Sequence, residues 1–308
     1  MKLTMRMYQD EDDYWRIREF LRVVFRLNDR RELSWQAYRF DYCRWHVFEN
    51  IVHCRMEEVV FIWETAEGQI AAVLNPEGKG EVFLQVHPNL RTPQLEDEML
   101  DVAENHLASP GPNGRRKLRV WTNEHDDLRQ DILTRRGYNK DDRPECQRRR
   151  PMSIPIPDVP VAPGYTVRAL GDVDEIPPRS LVSWRAFHPD EPDDRYEGWD
   201  WYCNVQRAPL YRRDLDIVAV APNGEFASFC TVWFDDVTRT GAFEPVGTAP
   251  MHHRRGLGRA VMCEGLRRLK RMGATIAYVG SYSPEAHALY ASVGFTEYDR
   301  SEPWAKEL

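Results

Sequence analysis

The sequence predicts an α/β (α+β) protein of two tandem domains, each a twisted mixed sheet flanked by helices. Three observations carry this. The 308 residues exceed one ordinary folding unit. One order of strand-like and helix-like segments runs through the chain twice. A proline-dense stretch separates the two passes. Its prolines, at 151, 155, 157, 160 and 163, exclude a helix interior or a central strand and leave an extended, semi-rigid connector. The domains are accordingly placed at 1–150 and 164–308, with 151–163 as the linker.

Each pass opens with a short strand and an Asp-led helix, in MRMYQDEDDYWRIREFLRVVF and again in YTVRALGDVDEIPPRSLVSWRAF. A second helical region rich in Trp, Tyr and Arg follows. Then comes a pair of strands, EEVVFIWETAEGQIAAVL or LDIVAVAPNGEFASFCTVWF. Asn223-Gly224 gives the later pair its hairpin-turn chemistry. The third strand ends at His87-Pro88 or at Ala249-Pro250. An amphipathic helix, an apolar strand (KLRVW; TIAYVG) and a last helix ending at Gly137-Tyr138 or Gly294-Phe295 complete each pass.

Composition excludes several classes. Hydrophobic residues make up 42% and charged residues 30%, ordinary for a chain that buries sizeable cores. The net charge of −7 argues against nucleic acid as a partner, since a polyanion needs a basic surface. No apolar run reaches membrane-spanning length, so no membrane role is expected. The N-terminus carries no secretory signal pattern, which gives a cytoplasmic expectation. Six scattered cysteines show no CxxC or zinc spacing and are expected reduced and packed as small apolar groups, with no metal.

The chemistry concentrates in GAFEPVGTAPMHHRRGLGRAVMCEGLRRLKRMGA. Gly241–Thr248 reads as a strand. Leu257 to Met272 reads as a helix with an apolar stripe of Leu257, Val261, Leu266, Leu269 and Met272, ended by Gly273. The turn between them, from His253 to Arg259, therefore opens a helix. First-turn amides there lack intrahelical acceptors and the dipole is positive, so an anion is favoured. Gly256 and Gly258 permit close approach of a phosphate. Arg254, Arg255 and Arg259 add charge at the rim. The turn lacks the Lys-Ser/Thr of a P-loop and the full glycine spacing of a dinucleotide fold.

With those residues in place, the turn resembles motif A of the GCN5-related N-acetyltransferase superfamily, Q/R-x-x-G-x-G/A, with His253 where Gln or Arg is usual. The segment Ser283-Pro-Glu-Ala286-His-Ala-Leu289-Tyr290-Ala-Ser-Val-Gly294-Phe295 resembles motif B, N-x-x-A-x-x-L-Y-x-x-x-G-F, with Ser283 in place of Asn. The resemblance covers about residues 164–300. The tandem layout is similar to that of mycothiol synthase, in architecture only. The resemblance implies acyl-CoA N-acyltransferase domains with acetyl-CoA as cosubstrate, held by His253, Arg254, Arg255, Gly256, Leu257, Gly258, Arg259 and Ser283. It also implies a splay between the fourth and fifth strands, near 241–248 and 275–280, where pantetheine pairs with the backbone around Val246 and Thr248. The Val246 amide is the expected donor to the thioester carbonyl.

Acyl transfer to an amine needs a base for the amine and an acid for the leaving thiolate. Glu244, ending the strand that carries the thioester, is the candidate base. Tyr290 matches the motif tyrosine beside the sulfur and is the candidate acid. The implied reaction is direct transfer to a primary amine of a small molecule. The alternatives are a protein or peptide N-acetyltransferase and a non-catalytic acyl-CoA sensor.

The first half reads as a degenerate copy. Its equivalent turn, His87 to Glu98, has no glycine and carries three acids, Glu96, Asp97 and Glu98, that would repel a pyrophosphate. Leu133 stands where the second half has Tyr290. Such a half, retained without its site, points to self-association as a homodimer. Between 186 and 212, acids (Asp190, Glu191, Asp193, Asp194, Glu197, Asp200) and aromatics (Trp199, Trp201, Tyr202) would suit a cationic acceptor. A solvated acidic loop over core aromatics is the favoured reading of that segment, and His188 is assigned no role.

Overall fold

The computed structural model describes residues 2–111 and 114–308. The chain divides into two compact units, Met1–Cys146 with Asp299–Leu308, and Gln147–Tyr298. This departs from the sequence boundaries. The final ten residues belong with the first unit, and 147–150 belong with the second. The cause is long-range strand pairing, which local residue patterns do not encode.

The first unit contains β1 (Thr4–Met7), α1 (Glu11–Leu27), α2 (Ala37–Tyr42), a π-helical stretch (Cys43–Val52), α3 (Met56–Val59), β2 (Phe61–Glu64), β3 (Ile70–Gly78) and β4 (Glu81–Val86). There follow α4 (Pro93–His106), β5 (Ser109–Pro110), β6 (Arg116–Asn123), α5 (Asp127–Arg135) and β7 (Asn139–Lys140). Next comes β8 (Glu145–Pro151), whose residues from Gln147 lie in the second unit. That unit continues with β9 (Thr166–Ala169), α6 (Ile176–Phe187), α7 (Asp200–Val205), β10 (Asp216–Val220), β11 (Phe226–Asp235), β12 (Thr240–Thr248), α8 (Leu257–Met272), β13 (Ile276–Ser281) and α9 (Pro284–Ser292). The last strand, β14 (Glu297–Glu307), carries its end into the first unit, where Ser301–Glu307 pair antiparallel with Asn123–Lys117.

Within the first unit the strand order is β1-β2-β3-β4-β6-β14, and within the second it is β9-β10-β11-β12-β13-β8. Each sheet is antiparallel through its first four strands and parallel at the next pair, β4–β6 or β12–β13. Both units thus have the predicted mixed sheet. In each, the sixth strand is the strand that closes the other half of the sequence.

The second unit shows why these residues pack as they do. Leu257, Val261, Leu266 and Leu269 on α8 are buried in one apolar cluster with Val232 and Phe243. Each such side chain removed from water contributes roughly 1.5–3 kcal/mol. At Gly265, a Cβ would stand 2.7 Å from Phe243 and 2.9 Å from Val232, so only glycine lets α8 lie this close to the sheet. On the other face, Gly247 meets Phe229 at 2.6 Å and Ala186 of α6 at 2.9 Å in the same sense. Helices therefore cover both faces of β11 and β12. The helix ends at Gly273, which adopts φ 85° as its left-handed cap.

The feature that positions a site is the separation of β12 from β13. They pair only at Thr240↔Ile276, Gly241↔Ala277 and Ala242↔Tyr278. β12 then runs on to Thr248 while still paired to β11, leaving its other edge open. The β11–β12 register shifts between Cys230↔Val246 and Val232↔Phe243. Three steps on β12 thus face two on β11, a bulge at Glu244-Pro245 opposite Thr231.

Candidate active site

Beyond the bulge, Ala249 donates to the Ala227 carbonyl at 2.9 Å across β11. Backbone groups alternate in direction along a strand, so the amides of Val246 and Thr248 point the other way, into the opening beside β13. Thr248 Oγ1 lies 2.8 Å from Ser228 Oγ, and its carbonyl accepts from His253 Nε2 at 2.9 Å. His253 therefore ties the end of the strand to the turn that starts α8.

That turn frames a cavity of about 650 Å³, lined by Thr248, Arg254, Gly256, Gly258, Arg259 and Leu289 among others. Gly256 caps α8 with φ 73° and supplies no side chain to its first-turn amides. A Cβ on Gly258 would sit 3.3 Å from Leu289 and 3.5 Å from Thr248 Oγ1, inside the cleft wall. Leu257 is buried in the core and contributes only backbone here. Arg259 lines the cavity, and its Nε is buried with no hydrogen-bond partner among the described residues. Uncapped amides, an unpartnered guanidinium nitrogen and glycines where a Cβ would intrude fit a phosphorylated ligand such as the pyrophosphate of coenzyme A.

Two predicted residues are placed differently. The Arg255 guanidinium lies 5.9 Å from the Tyr165 ring centroid and does not line the cleft. Ser283 caps α9, its Oγ accepting from the Ala286 amide at 3.2 Å. Both side chains have local work that spacing alone did not reveal.

Tyr290 lies on α9, 7% exposed, among the apolar residues of α8 and β11. Burial pushes its phenol well above the usual value, and the negative charge of Glu244 pushes it further. Glu244 is half-buried at the bulge, and its carbonyl accepts from the Trp233 indole at 2.6 Å. Glu244 thus lies near enough to Tyr290 to act on its titration, and Val246 follows Glu244 by two residues on β12.

The corresponding place in the first unit is closed from within. Tyr138 donates to the Leu133 carbonyl at 3.0 Å as Phe295 does to Tyr290, which fixes Leu133 as the counterpart. Thr92 Oγ1 caps α4 by accepting from Leu95 at 3.1 Å, so that helix start is satisfied. Glu96 is fully buried and takes Arg129 Nε and Nη2 at 2.9 and 3.0 Å, with Arg91 also bonded to it. Burial alone would raise the Glu96 carboxyl; the Arg129 charge, its hydrogen bonds and Arg91 outweigh this and hold it at about 2. Asp97 pairs with Arg135 at 2.6 Å, and Glu98 accepts from the Trp63 indole at 2.9 Å. The three acids act as partners of the unit's own side chains, where the sequence reading had them as free repelling charge.

The segment over 188–200 is largely exposed, with Asp193 paired to Arg185 at 2.6 Å and His188 stacked 3.8 Å from Trp184. Tyr202 is in the core. In the first unit Glu124, His125 and Asp299 converge, but Arg31 already holds both Asp299 oxygens at 2.7 and 3.0 Å. No helix among the described residues is long and apolar enough to cross a membrane.

Residues 178–295 match the model of the acetyltransferase (GNAT) family. That stretch of the second half is similar to the family. The GNAT match covers both motifs, the bulge and the cleft. Over 259 residues the chain is 25% identical to a mycothiol acetyltransferase of Paenarthrobacter aurescens, covering 77% of this chain and 73% of that protein. A mycothiol acetyltransferase of Kineococcus radiotolerans is 27% identical over 240 residues, 74% of each. The fold is similar to a GCN5-related N-acetyltransferase from Sphaerobacter thermophilus, with TM-score 0.68, 16% identity, and coverage of 99% of this chain and 95% of that one. It is likewise similar to a tandem GNAT protein from the clavulanic acid biosynthesis pathway, with TM-score 0.67, 14% identity, and coverage of 99% and 98%. A GNAT fold thus underlies the chain in tandem form, and the chain is an acetyltransferase.

Proposed function

We propose that the second unit moves an acetyl group from acetyl-CoA to a primary amine of a small molecule by direct attack. The observation that carries this is the uncapped start of α8, with the unpartnered Arg259 Nε, opening onto the splay of β12 and β13. Gly256, Gly258, Arg254 and Arg259 would hold the pyrophosphate, and the Val246 and Thr248 amides would hold the pantetheine arm. Acetyl-CoA would supply an acyl carbon activated by a thiol leaving group. Similarity to proteins named mycothiol acetyltransferase supports a small-molecule acceptor.

The chain's own groups divide the proton work. The Glu244 carboxylate takes the proton that the attacking amine must lose. The Tyr290 hydroxyl faces the departing sulfur as a hydrogen-bond donor. A free thiol titrates near 8.5, far below the raised Tyr290 phenol, so complete proton transfer from Tyr290 is uphill while Glu244 is charged. Protonation of Glu244 removes the charge that raises Tyr290. Burial, the larger cause, is unchanged by this, so Tyr290 stabilises the departing thiolate as a hydrogen-bond donor and keeps its proton. Glu244→Gln and Tyr290→Phe should each leave acetyl-CoA affinity within about twofold. They should slow thiol release in the presence of primary amines by roughly 10²-fold, the low end for a lost acid–base group. Unchanged turnover in both variants refutes these roles.

A further inference from the structure

The mechanism leaves a buried polar cluster on the α6 face of the same sheet unused. Arg179 and Asp216 are both fully buried and paired, with Arg179 Nε 2.8 Å from Asp216 Oδ1. Arg179 Nη2 donates to Thr231 Oγ1 at 2.9 Å. The other Asp216 oxygen accepts from the Tyr202 hydroxyl and, at 3.1 Å, from the Tyr211 hydroxyl. Gln206 Nε2 donates to Tyr211 at 3.0 Å. The Arg179 guanidinium also lies 3.9 Å from the Phe229 ring centroid. A charged pair sealed this completely costs desolvation free energy that surface pairs avoid, so its retention calls for a structural consequence nearby.

That consequence lies at the bulge. Thr231, held by Arg179, is the β11 residue opposite Glu244-Pro245. Trp233, two residues further along β11 and on the same face, is 1% exposed and packs edge-on against Tyr211 with ring centroids 6.2 Å apart. Its register partner is Ala242, yet its indole N–H reaches past that residue to the Glu244 carbonyl at 2.6 Å. A bulge displaces backbone groups from the ladder, and here a side chain supplies a donor to one of them. The cluster therefore meets the bulge twice, through Thr231 across the strand and through Trp233 on Glu244 itself.

We propose that Trp233 is a positioning residue for the acyl site: its indole holds the Glu244 carbonyl, which fixes the bulge that carries the Glu244 carboxylate and the Val246 amide, and the Arg179–Asp216–Tyr211 network holds the indole. This rests on the acyl-CoA reading of the site. Trp233 touches no reacting atom, so its contribution is geometry alone. The pyrophosphate cradle at the start of α8 does not depend on it. Removing the indole donor should therefore weaken recognition of the acyl carbonyl while leaving recognition of the rest of coenzyme A intact.

The test compares calorimetric affinities for acetyl-CoA and for free CoA in the full chain, before and after Trp233→Phe. The wild-type chain should prefer acetyl-CoA. In the variant that preference should fall roughly fivefold, the value of one neutral hydrogen bond, with CoA affinity unchanged. A purely structural role would weaken both ligands alike, and that outcome overturns the proposal, as does a preserved preference. Tyr211→Phe removes only the hydroxyl that anchors the indole's neighbour and should shift the ratio the same way by less. If Trp233→Phe does not fold, the Tyr211→Phe ratio decides, an unchanged value refuting the proposal. A wild-type chain that binds CoA and acetyl-CoA equally instead refutes the acyl-carbonyl role of the bulge, and the positioning role with it.

Discussion

Replacing Glu96 with glutamine asks whether the first unit has exchanged a ligand site for an internal ion pair. The Glu96 carboxyl is held at about 2 against an ordinary value of 4.5, despite full burial, because Arg129 and Arg91 close on it. At about 1.4 kcal/mol per pH unit, that difference contributes about 3 kcal/mol to folding at neutral pH. The figure sits at the low end of the cost of removing one partner from a buried pair, roughly 3–5 kcal/mol. Since the folded-state value is depressed, the contribution is present above pH 4.5 and is lost as pH falls toward 2. Urea unfolding followed by tryptophan fluorescence, with saturating acetyl-CoA to hold the second unit, isolates the first unit's transition. Glu96→Gln should lower its stability by about 3 kcal/mol at pH 7, and the difference from wild type should shrink as the pH approaches 2. Acetyl-CoA affinity and stoichiometry should not change. A variant that binds acetyl-CoA more weakly, or in smaller number per chain, would show that the first unit takes part in holding the cofactor and would refute the reasoning.

The two cleft glycines should separate strain from blockage. Gly256→Ala puts a side chain on a left-handed residue in open space, costing about 1 kcal/mol of stability with acetyl-CoA binding largely retained, whereas Gly258→Val fills the cleft beside Leu289 and should abolish binding; thermal unfolding and calorimetry read the two effects. Arg179→Met leaves Asp216 buried without its cation and should destabilise the second unit by roughly 3–5 kcal/mol, measured by urea unfolding.

Much of the second unit was legible because its signals are local. The helix Leu257–Met272 follows from an apolar stripe closed by Gly273, and the strand to Thr248 follows from the residues before Pro250. Gly256 and Gly258 mark a turn open enough to line a cavity, and the structure places both at its wall. The exchange of terminal strands was not legible, because Ser301–Glu307 carry no mark of pairing with 117–123 rather than with nearer strands. Arg255 and Ser283 matched motif positions, yet the Tyr165 ring and the Ala286 amide engage them. Trp233 and Arg179 were missed for a related reason. Trp233 reads as an ordinary strand aromatic until the bulge puts the Glu244 carbonyl within its reach. Glu96 looked like a repelling charge because Arg129 lies 33 residues away in sequence and reaches it only in the fold.

The central claim, a single acyl-CoA site in the C-terminal half, is tested most directly by calorimetric titration of the purified chain with acetyl-CoA, alongside the Gly258→Val variant. The account predicts one equivalent bound per chain and none to the variant. Two equivalents per chain, or one equivalent that survives Gly258→Val, would contradict it.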